Sequence, residues 1–487
     1  MKNLFIILLA TLIAFTQFVN SRPTGPAPTG KPVLVWATGI NPARQEQVEG
    51  FYRWLAKNHY PPMEIRMDNV GLGMQKFIVQ GTSGVAADLV DIFSQQISSV
   101  FYLREMGILA GVDDLEKRFG TPDRGVWEPL RTLLYQDGKQ IAFPGNHAPE
   151  GILLNVEAFR KVGMPLPPFR WSFDAFERTG IEYTRRARAQ SGKSHFFIYA
   201  IPWDVFRRSA GIPLFNETMT RPAMNTPRYV AHLKRMEHWG RGLGLAPSAA
   251  ECQSFNTGSG AMQGNWQWQV FSRGYFATLT GNSAALIQLR LFGHRGDLSA
   301  ILPPDDGFPN VIAKTRTIGL YAGSKNKELA KYFLAYLRSE EYSMLVIRQT
   351  DAIPPDIQYL ATEEYLRPVG HTNEWPLHQG FRTMVEKYAA PVEYTPFALM
   401  PNIDRQAARA LDEFASQLLT PEEVAARMEA AFALEIEQFL AKRPALRARY
   451  QAALEKQARI DALKAAGKAV PLELIDNPFN RTMAARR

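Results

Sequence analysis

Short apolar segments alternate with segments of helical periodicity near the start of the chain, and this alternation restricts the fold more than any other feature. Residues 32–38, 63–69 and 88–93 have the composition of buried strands, whereas residues 73–80 and 95–106 have helical spacing. Strands joined by helices of this length pair in parallel, because a parallel neighbour needs a crossover connection. The pattern predicts an α/β fold with an open sheet of parallel strands.

A helix is also predicted between the first two strands. Asn41 is a residue type favoured at the N-cap, and Pro42 fits the first helical position. Four residues at helical spacing would form the stripe that faces the core: Val48, Phe51, Tyr52 and Leu55. Ligands of open sheets bind beyond the carboxyl ends of the strands, so the loops at residues 36–41 and 93–96 are the first candidates for a binding site.

The rest of the chain predicts a second set of strands and a largely helical last third. Further strands are expected at residues 152–155, 281–289, 299–302 and 317–322. A helix is expected over residues 326–337. Thr420 and Glu423 form a capping box, so another helix is expected to begin at this threonine.

The N-terminal end predicts export. Lys2 precedes an apolar stretch, residues 4–19, that is shorter than the roughly 20 apolar residues of a spanning helix. Residues 1–21 are therefore predicted to be a signal peptide, and the Pro- and Gly-rich residues 22–32 an exposed linker. An uncleaved membrane anchor is the alternative. The mature protein is expected to be soluble.

Most of the net charge of +9 lies at the other end of the chain. Residues 441–487 contain eleven basic and four acidic residues, which leaves the remainder near neutrality. A near-neutral body without a basic stripe gives no indication of nucleic-acid binding. The basic segment is interpreted as a solvated helix, with contact to anionic lipid or to a partner as the alternative.

Residues that bind metals or carry out catalysis form no recognisable pattern. Cys252 is the only cysteine, which excludes a disulfide framework and a cysteine-based zinc site. No two of the eight histidines have the helical spacing that directs two imidazoles at one metal. No cofactor and no metal are predicted. Two catalytic carboxylates, as in a glycosidase, could be any of the 47 acidic residues, so this alternative stays open.

Tryptophan gives a stronger signal. Four tryptophans lie in polar, turn-rich segments rather than on apolar helical stripes: Trp203, Trp266, Trp268 and Trp375. Indole faces stack on the C–H faces of sugar rings, while a neighbour such as Asp204 can accept hydrogen bonds from hydroxyls. These residues are candidates for carbohydrate binding. The alternative is that they fix loops to the core.

Several separated segments occur in an order and spacing typical of one protein family. They are residues 35–44 (VWATGINPAR), 77–88 (FIVQGTSGVAAD), 137–144 (DGKQIAFP), 154–165 (LNVEAFRKVGMP), 171–176 (WSFDAF), 281–287 (GNSAALI), 323–330 (GSKNKELA) and 353–355 (IPP). In these segments the chain resembles the family 1 extracellular solute-binding proteins of ABC importers, which include maltodextrin-binding proteins. The resemblance ends near residue 440, so the basic segment that follows is unexplained.

The resemblance implies a two-lobed periplasmic-binding-protein fold, with three crossings between the lobes and the ligand held between them. The crossings are expected near residues 148–153, 299–303 and 350–355. The implied limits are residues 33–148 and 303–350 for the N-terminal lobe, 149–302 and 351–440 for the C-terminal lobe, and 441–487 for a basic helical extension.

The resemblance also implies which residues line the cleft. They come from the loops after the first and third strands, from the first crossing, and from the second lobe: Trp36, Thr38, Ser94, Gln95, Asn146, His147, Trp203, Asp204, Trp266, Trp268, Arg290 and Trp375. Arg290 is expected either to meet a charged substituent or to serve as a structural ion-pair partner.

These observations predict a periplasmic, monomeric binding protein without catalytic activity. It would capture a mono- or oligosaccharide and deliver it to integral-membrane ABC permease subunits. The alternatives are a secreted carbohydrate-active enzyme of the glycoside hydrolase type and a ligand sensor that takes no part in transport. The identity of the ligand is not predicted, and polyols, uronic acids and phosphorylated compounds stay open.

Overall fold

The computed structural model describes residues 30–69, 74–93, 96–120, 127–191, 195–259 and 266–486. The predicted signal peptide and most of the predicted linker lie outside these residues, as do Ser94 and Gln95. Within the described residues, no helix combines the length and the apolar character required to span a bilayer.

Two main sheets organise the chain. The strands of the described residues are β1 (Val33–Thr38), β2 (Glu64–Asn69), β3 (Leu89–Ile92), β4 (Tyr135–Gln136), β5 (Lys139–Gln140), β6 (Ala142–His147), β7 (Gly151–Asn155), β8 (Phe196–Ile198), β9 (Phe276–Gly281), β10 (Leu298–Ile301), β11 (Val311–Ile312), β12 (Thr315–Leu320) and β13 (Ala389–Ala390). The first sheet has the order β2-β1-β3-β12-β6, and the second has the order β10-β7-β9-β8. Strands β1, β2 and β3 pair in parallel, as predicted, whereas β12 is antiparallel to both of its neighbours.

Helices surround both sheets. They are α1 (Pro42–Lys57), α2 (Gln75–Thr82), α3 (Ser99–Glu105), α4 (Leu115–Phe119), α5 (Arg131–Leu134), α6 (Val156–Lys161), α7 (Phe173–Ser191), α8 (Trp203–Ser209), α9 (Pro227–Glu237), α10 (Ala249–Ser259), α11 (Trp266–Ser272), α12 (Ala285–Leu291), α13 (Lys327–Leu337), α14 (Glu340–Gln349), α15 (Glu363–Leu366), α16 (Trp375–Lys387), α17 (Met400–Ala415), α18 (Pro421–Ala441), α19 (Arg447–Ala465) and α20 (Pro478–Ala485).

The first sheet and its helices form the first lobe. The Asn41 side chain accepts from the Arg44 amide at 3.1 Å and Pro42 opens α1, which confirms the predicted helix start. Phe51 is fully buried against one face of the sheet. Tyr52, predicted to face the core, is 37% exposed instead, because it lies at the edge of the stripe and its hydroxyl accepts from the Ile65 amide.

The second sheet and its helices form the second lobe. All five residues of β7 are buried, since β7 is a central strand between β10 and β9. The prediction of a strand over residues 281–289 is wrong: strand β9 ends at Gly281, and α12 begins at Ala285. The Asn282 side chain accepts from the Ala284 amide, which turns the chain, and the Ala- and Leu-rich residues that follow favour a helix.

The chain passes between the sheets three times. Residues 148–150 join β6 to β7, residues 302–314 join β10 to β12, and residues 350–356 leave α14 for segments that pack on the second lobe. We propose lobe limits at these three crossings, close to the predicted ones. In the third crossing, Thr350 and Ala352 adopt positive φ angles of 54° and 67°, which side chains disfavour.

The C-terminal extension packs on the second lobe rather than lying free in solvent. The backbone amides of Asp476 and Asn477 donate to the Glu217 carbonyl at 2.9 and 2.8 Å. The Gln457 side chain accepts from the Thr218 amide at 3.1 Å. The prediction that this segment is a solvated helix is therefore wrong for the residues that make these contacts.

The last helix, α20, reaches the second crossing. Phe479 is fully buried and its ring meets that of Phe308 edge to face at 5.4 Å. The Arg208 guanidinium lies over the same Phe479 ring, 4.4 Å from its centre. The Arg486 side chain donates to the Ala389 carbonyl at 2.6 Å. The extension is thus joined to both the second lobe and a crossing.

Replacing Phe479 tests whether the extension contributes to the stability of the whole chain. We expect Phe479→Ala to lower the free energy of unfolding by about 3 kcal/mol, because it leaves a cavity in a buried cluster. Leu472→Ala is the matched control, since Leu472 belongs to the same extension but is 42% exposed, and its expected effect is within about 0.5 kcal/mol. Equilibrium unfolding in urea measures both, and equal effects would contradict the expectation.

Candidate functional site

A buried carboxylate, Asp91, organises the carboxyl ends of the first-lobe strands. Asp91 has no exposed surface and accepts hydrogen bonds from the Trp36 indole at 3.0 Å and the Thr38 hydroxyl at 2.5 Å. Arg316 donates to the same carboxylate at 2.9 Å. Trp36 and Thr38, predicted to line the cleft, therefore point into the first lobe, and both are fully buried.

The same cluster extends to the third crossing. Arg44, 3.7 Å from Asp91, donates to the Asp351 carboxylate at 2.7 Å. Burial raises the pKa of Asp351, but the charges of Arg44 and Arg316 outweigh it and hold this pKa below its ordinary value. Four charged groups on β3, α1, β12 and the third crossing are thus joined inside the protein.

Asn146 and His147, predicted from the first crossing, lie where the first and third crossings meet. The Asn146 side chain donates to the Asp351 carbonyl at 2.8 Å. His147 and Ile353 exchange backbone hydrogen bonds at 2.8 and 3.0 Å. The His147 ring nitrogen Nε2 lies 2.8 Å from the Pro355 carbonyl oxygen, so it carries the proton and donates. Both residues connect crossings rather than face open space.

A cavity of about 340 Å³ lies where the lobes meet. Ile97 and Ser98, at the start of α3, line it from the first lobe. Ile312 and Lys314 line it from the second crossing. The second lobe contributes residues of α8, α9, α17 and α18. A molecule in this cavity would touch both lobes and a crossing at once, and the volume is in the range of small-molecule sites.

Trp203 and Asp204 begin α8 and were both predicted. Arg207, one helical turn later, donates to Asp204 at 2.7 Å and to Glu393 at 2.6 Å. Arg208 also donates to Glu393, at 3.1 Å. The surrounding protein partly desolvates Asp204, which raises its pKa, but the charges of Arg207 and Arg208 outweigh this effect and hold the pKa below its ordinary value, so Asp204 is ionised. Its side chain stays 55% exposed.

Another carboxylate of the lining is Asp404, on α17. The Ser98 hydroxyl donates to Asp404, which connects α3 of the first lobe to α17 of the second. Lys314 is bound to Glu150 at 2.9 Å. The cavity therefore combines an indole, a hydroxyl and three carboxylates, Asp204, Asp404 and the arginine-paired Glu393, which is a set that can stack on a ring and accept hydrogen bonds from hydroxyls.

Trp203 also separates this cavity from a second one of about 640 Å³. The Phe414 ring packs edge to face on Trp203 at 5.3 Å and lines the second cavity. All residues that line the second cavity belong to the second lobe. A molecule bound there would not touch the first lobe, so the smaller cavity is the better candidate for a site between lobes.

The other predicted residues lie elsewhere. Trp266 is buried, with its ring 5.3 Å from that of Tyr199, and neither Trp266 nor Trp268 lines the cavity of about 340 Å³. Arg290 forms two hydrogen bonds to Glu374, at 2.9 and 2.6 Å, which is the structural ion pair named as the alternative. Trp375 is 37% exposed and lies outside the cavity lining. Ser94 and Gln95 lie outside the described residues.

The residues that sequence reasoning missed are Ser98, Asp404 and the ion pairs around Asp204. Arg207 had a detectable signal, because a basic residue three positions after Asp204 on a helix faces the same side. Asp404 had none, since it lies on a helix far along the chain with ordinary surface composition. Among the described residues, no group of three or more His, Cys, Asp or Glu could hold a metal ion.

A family model for bacterial extracellular solute-binding proteins matches residues 47–344. Comparison with curated protein sequences found no match. Among solved structures, an ABC transporter solute-binding protein of Thermotoga lettingae bound with α-D-tagatose has a TM-score of 0.66 at 16% identity, covering 83% of this chain and 100% of that one. An ABC substrate-binding protein of Listeria monocytogenes in complex with cycloalternan has a TM-score of 0.64 at 18% identity, covering 85% and 99%. An ABC transporter solute-binding protein of Agrobacterium vitis with bound D-mannitol has a TM-score of 0.62 at 17% identity, covering 84% and 99%.

At these identities the likeness shows the fold, and it confirms the predicted two-lobed α/β architecture.

Removing the charge of Asp91 tests the buried cluster. We expect Asp91→Asn to lower the free energy of unfolding by about 3 to 5 kcal/mol, because the buried Arg316 would lose its ion-pair partner, whereas Arg44 keeps Asp351. Asp113→Asn is the matched control: Asp113 pairs with Lys139 at 3.6 Å, but its side chain is 60% exposed. Urea unfolding measures both, and a loss below about 1 kcal/mol for Asp91→Asn would contradict the expectation.

The lowered pKa of the buried His147 makes the stability of the fold depend on pH. Burial lowers the pKa of His147 from 6.5 to about 4. Between these values the unfolded chain binds a proton that the folded chain does not, so stability is full above about pH 6.5 and falls as the pH decreases toward 4. We expect His147→Gln to remove about 2 kcal/mol of the stability difference between pH 7 and pH 5, as measured by urea unfolding at each pH. An unchanged difference would show that His147 is not the titrating group.

Proposed function

This chain belongs to the family of bacterial extracellular solute-binding proteins, as the sequence resemblance predicted, and we propose that it captures a carbohydrate between its two lobes. The observation that carries this proposal is the cavity of about 340 Å³, whose lining comes from both lobes and from the second crossing. The proposed function includes delivery of the ligand to integral-membrane permease subunits.

Contact with both lobes provides the mechanism. A ligand that touches Ser98 on one lobe and Trp203 on the other makes its full set of contacts only when the lobes are together. Since a ligand shifts a conformational equilibrium by its difference in affinity for the two states, it stabilises the closed form. The closed form then presents a surface that a permease can distinguish from the open form.

The chemistry of the wall supports a carbohydrate. Trp203 offers an indole face to the C–H face of a sugar ring, and the exposed Asp204 carboxylate accepts hydrogen bonds from hydroxyls. Arg207 holds Asp204 in place, which reduces the ordering cost on binding. Tagatose, cycloalternan and mannitol, bound by proteins of the same fold, are all rich in hydroxyls, which adds support.

The proposed binding protein catalyses no reaction on its ligand. We infer that the ligand is released unchanged, as expected in a family of binding proteins. A periplasmic location and a monomeric state belong to the same proposal.

A panel of mono- and oligosaccharides and sugar alcohols tests the function. We expect at least one member to give saturable heat of binding and a change in tryptophan fluorescence. Asp204→Asn should weaken that binding at least about tenfold, because a hydrogen bond to a charged group is worth about 1.5 to 3 kcal/mol. The measurement is isothermal titration calorimetry.

Asp297→Asn serves as the control for this variant. Asp297 pairs with Arg160 at 3.1 Å much as Asp204 pairs with Arg207, but it lies outside the cavity lining. The Asp297→Asn variant should bind the same saccharide with the same affinity as the unmodified protein. Analysis of the incubated oligosaccharides by mass spectrometry completes the test, and cleavage that disappears in Asp204→Asn would overturn the binding-protein proposal in favour of a hydrolase.

A further inference from the structure

The cations that line the cavity between the lobes are all paired with carboxylates other than Asp404. Three carboxylates line it, Asp204, Glu393 and Asp404, together with three cations, Arg207, Arg208 and Lys314. Lys314 is already bound to a further carboxylate, Glu150, at 2.9 Å.

Arg207 and Arg208 form ion pairs with two of the three carboxylates, Glu393 and Asp204. The Glu393 oxygen Oε2 accepts from Arg207 at 2.6 Å and from Arg208 at 3.1 Å, and Oε1 accepts from the Leu214 amide at 2.6 Å. Asp204 uses Oδ1 for Arg207 at 2.7 Å. The arginines are held further by backbone carbonyls, as in the 2.7 Å bond from Arg208 to Pro391. These cations are therefore not free to bind a ligand anion.

Asp404 is the carboxylate that stays without a counterion. Its Oδ2 accepts from the Ser98 hydroxyl, and no Lys, Arg or His of the described residues forms an ion pair with it. Desolvation raises the pKa of Asp404 and the charge of Asp204 raises it further, and together they outweigh the hydrogen bond from Ser98 and the charge of Lys314, which lower it. Asp204 and Asp404 thus lie close enough to repel each other.

A buried histidine in the same lining adds a second observation. His232 is 6% exposed, it lines the cavity, and its Nε2 has no hydrogen-bond partner. Burial, and then the charges of Arg207 and Arg235, lower the pKa of His232 to about 3, so the ring is neutral. It therefore adds no positive charge to the cavity.

We propose that the ligand carries a protonated amine, so that the cleft takes an amino sugar and rejects sugars that carry a carboxylate or a phosphate. This inference rests on the proposed function and specifies the class of carbohydrate. An ammonium group near Asp404 and the open Oδ2 side of Asp204 supplies the counterion that the protein lacks. It also donates hydrogen bonds to both carboxylates, and such charge-assisted bonds are stronger than those of a neutral hydroxyl.

The opposite charge would be rejected for the same reason. An anionic group placed in this cavity would meet Asp204 and Asp404 while every cation of the lining is already paired. Juxtaposed like charges are a common means of excluding a wrong ligand. Uronic acids and phosphorylated sugars, which the sequence left open, are thereby excluded.

A series of ligands that differ in one substituent tests this inference. The probes are D-glucose, N-acetyl-D-glucosamine, D-glucosamine and D-glucuronate, together with the β-1,4-linked trimers of the first three. Binding is measured by calorimetry at low salt and at about pH 6, where an amine of this kind is protonated. We expect the amino forms to bind at least about tenfold more tightly than the hydroxyl and acetamide forms, with no detectable binding of glucuronate.

Asp404→Asn identifies the group responsible. The asparagine oxygen still accepts from Ser98, so the contact between lobes is kept while the charge is removed. We expect the preference for the amino forms to fall to within about twofold. Asp412→Asn is the matched control, since it removes the same charge from an exposed position on the same helix, and it should keep the full preference.

The outcomes separate this inference from the proposed function. Amino forms that bind no better than neutral forms, or a preference that survives Asp404→Asn, would overturn the inference while carbohydrate binding itself stands. Absence of binding to every probe here and to the whole saccharide panel would overturn both. Tight binding of glucuronate would also overturn the inference, because it requires a free cation in the cavity.

Discussion

The buried cluster of Asp91, Arg316, Arg44 and Asp351 is the interaction on which the arrangement of the lobes depends. It joins two strands and a helix of the first lobe to the start of the third crossing. Charges taken out of water are costly unless their geometry and remaining hydrogen bonds are satisfied, and here Trp36, Thr38 and Gln47 supply several of those bonds. The crossing is therefore held at a defined place on the first lobe.

The second lobe has its own buried cluster, and the C-terminal extension is part of it. Glu393 connects Arg207 and Arg208, and the Phe479 ring of the extension packs against the Arg208 guanidinium. Because Arg207 also positions Asp204, a chain of direct contacts leads from the extension to the wall of the cavity. The extension is thus connected to the cavity wall through direct contacts, whereas its sequence alone indicated only a basic helical segment.

Features that depend on neighbouring residues were predictable, and features that depend on distant contacts were not. The N-cap Asn41 and the capping box of Thr420 and Glu423 each involve residues three positions apart, and both formed as predicted. Alternation of strands and helices likewise predicted the parallel core of the first sheet. The fold class therefore followed from local pattern together with the family resemblance.

The residues of the cavity wall could be predicted only in part from the sequence. Trp36 and Thr38 lie at the predicted end of a strand, but the pattern did not say that a buried aspartate on the adjacent strand β3 would turn both side chains inward. Trp203 and Asp204 were found because an indole and a carboxylate stood together in a polar segment. Asp404 reaches the same cavity only through the packing of α17 on α3, which no local pattern encodes.

The two left-handed residues of the third crossing, Thr350 and Ala352, bear on how the lobes move. A residue with a side chain stays in this small and costly region of backbone space only when its surroundings hold it there, so a change of torsion in this stretch requires those contacts to break. With Asp351 between them anchored to Arg44, the segment acts as a stiff pivot rather than a flexible joint. The axis of lobe rotation is then expected to pass close to it, and the larger torsional changes fall on the other two connections.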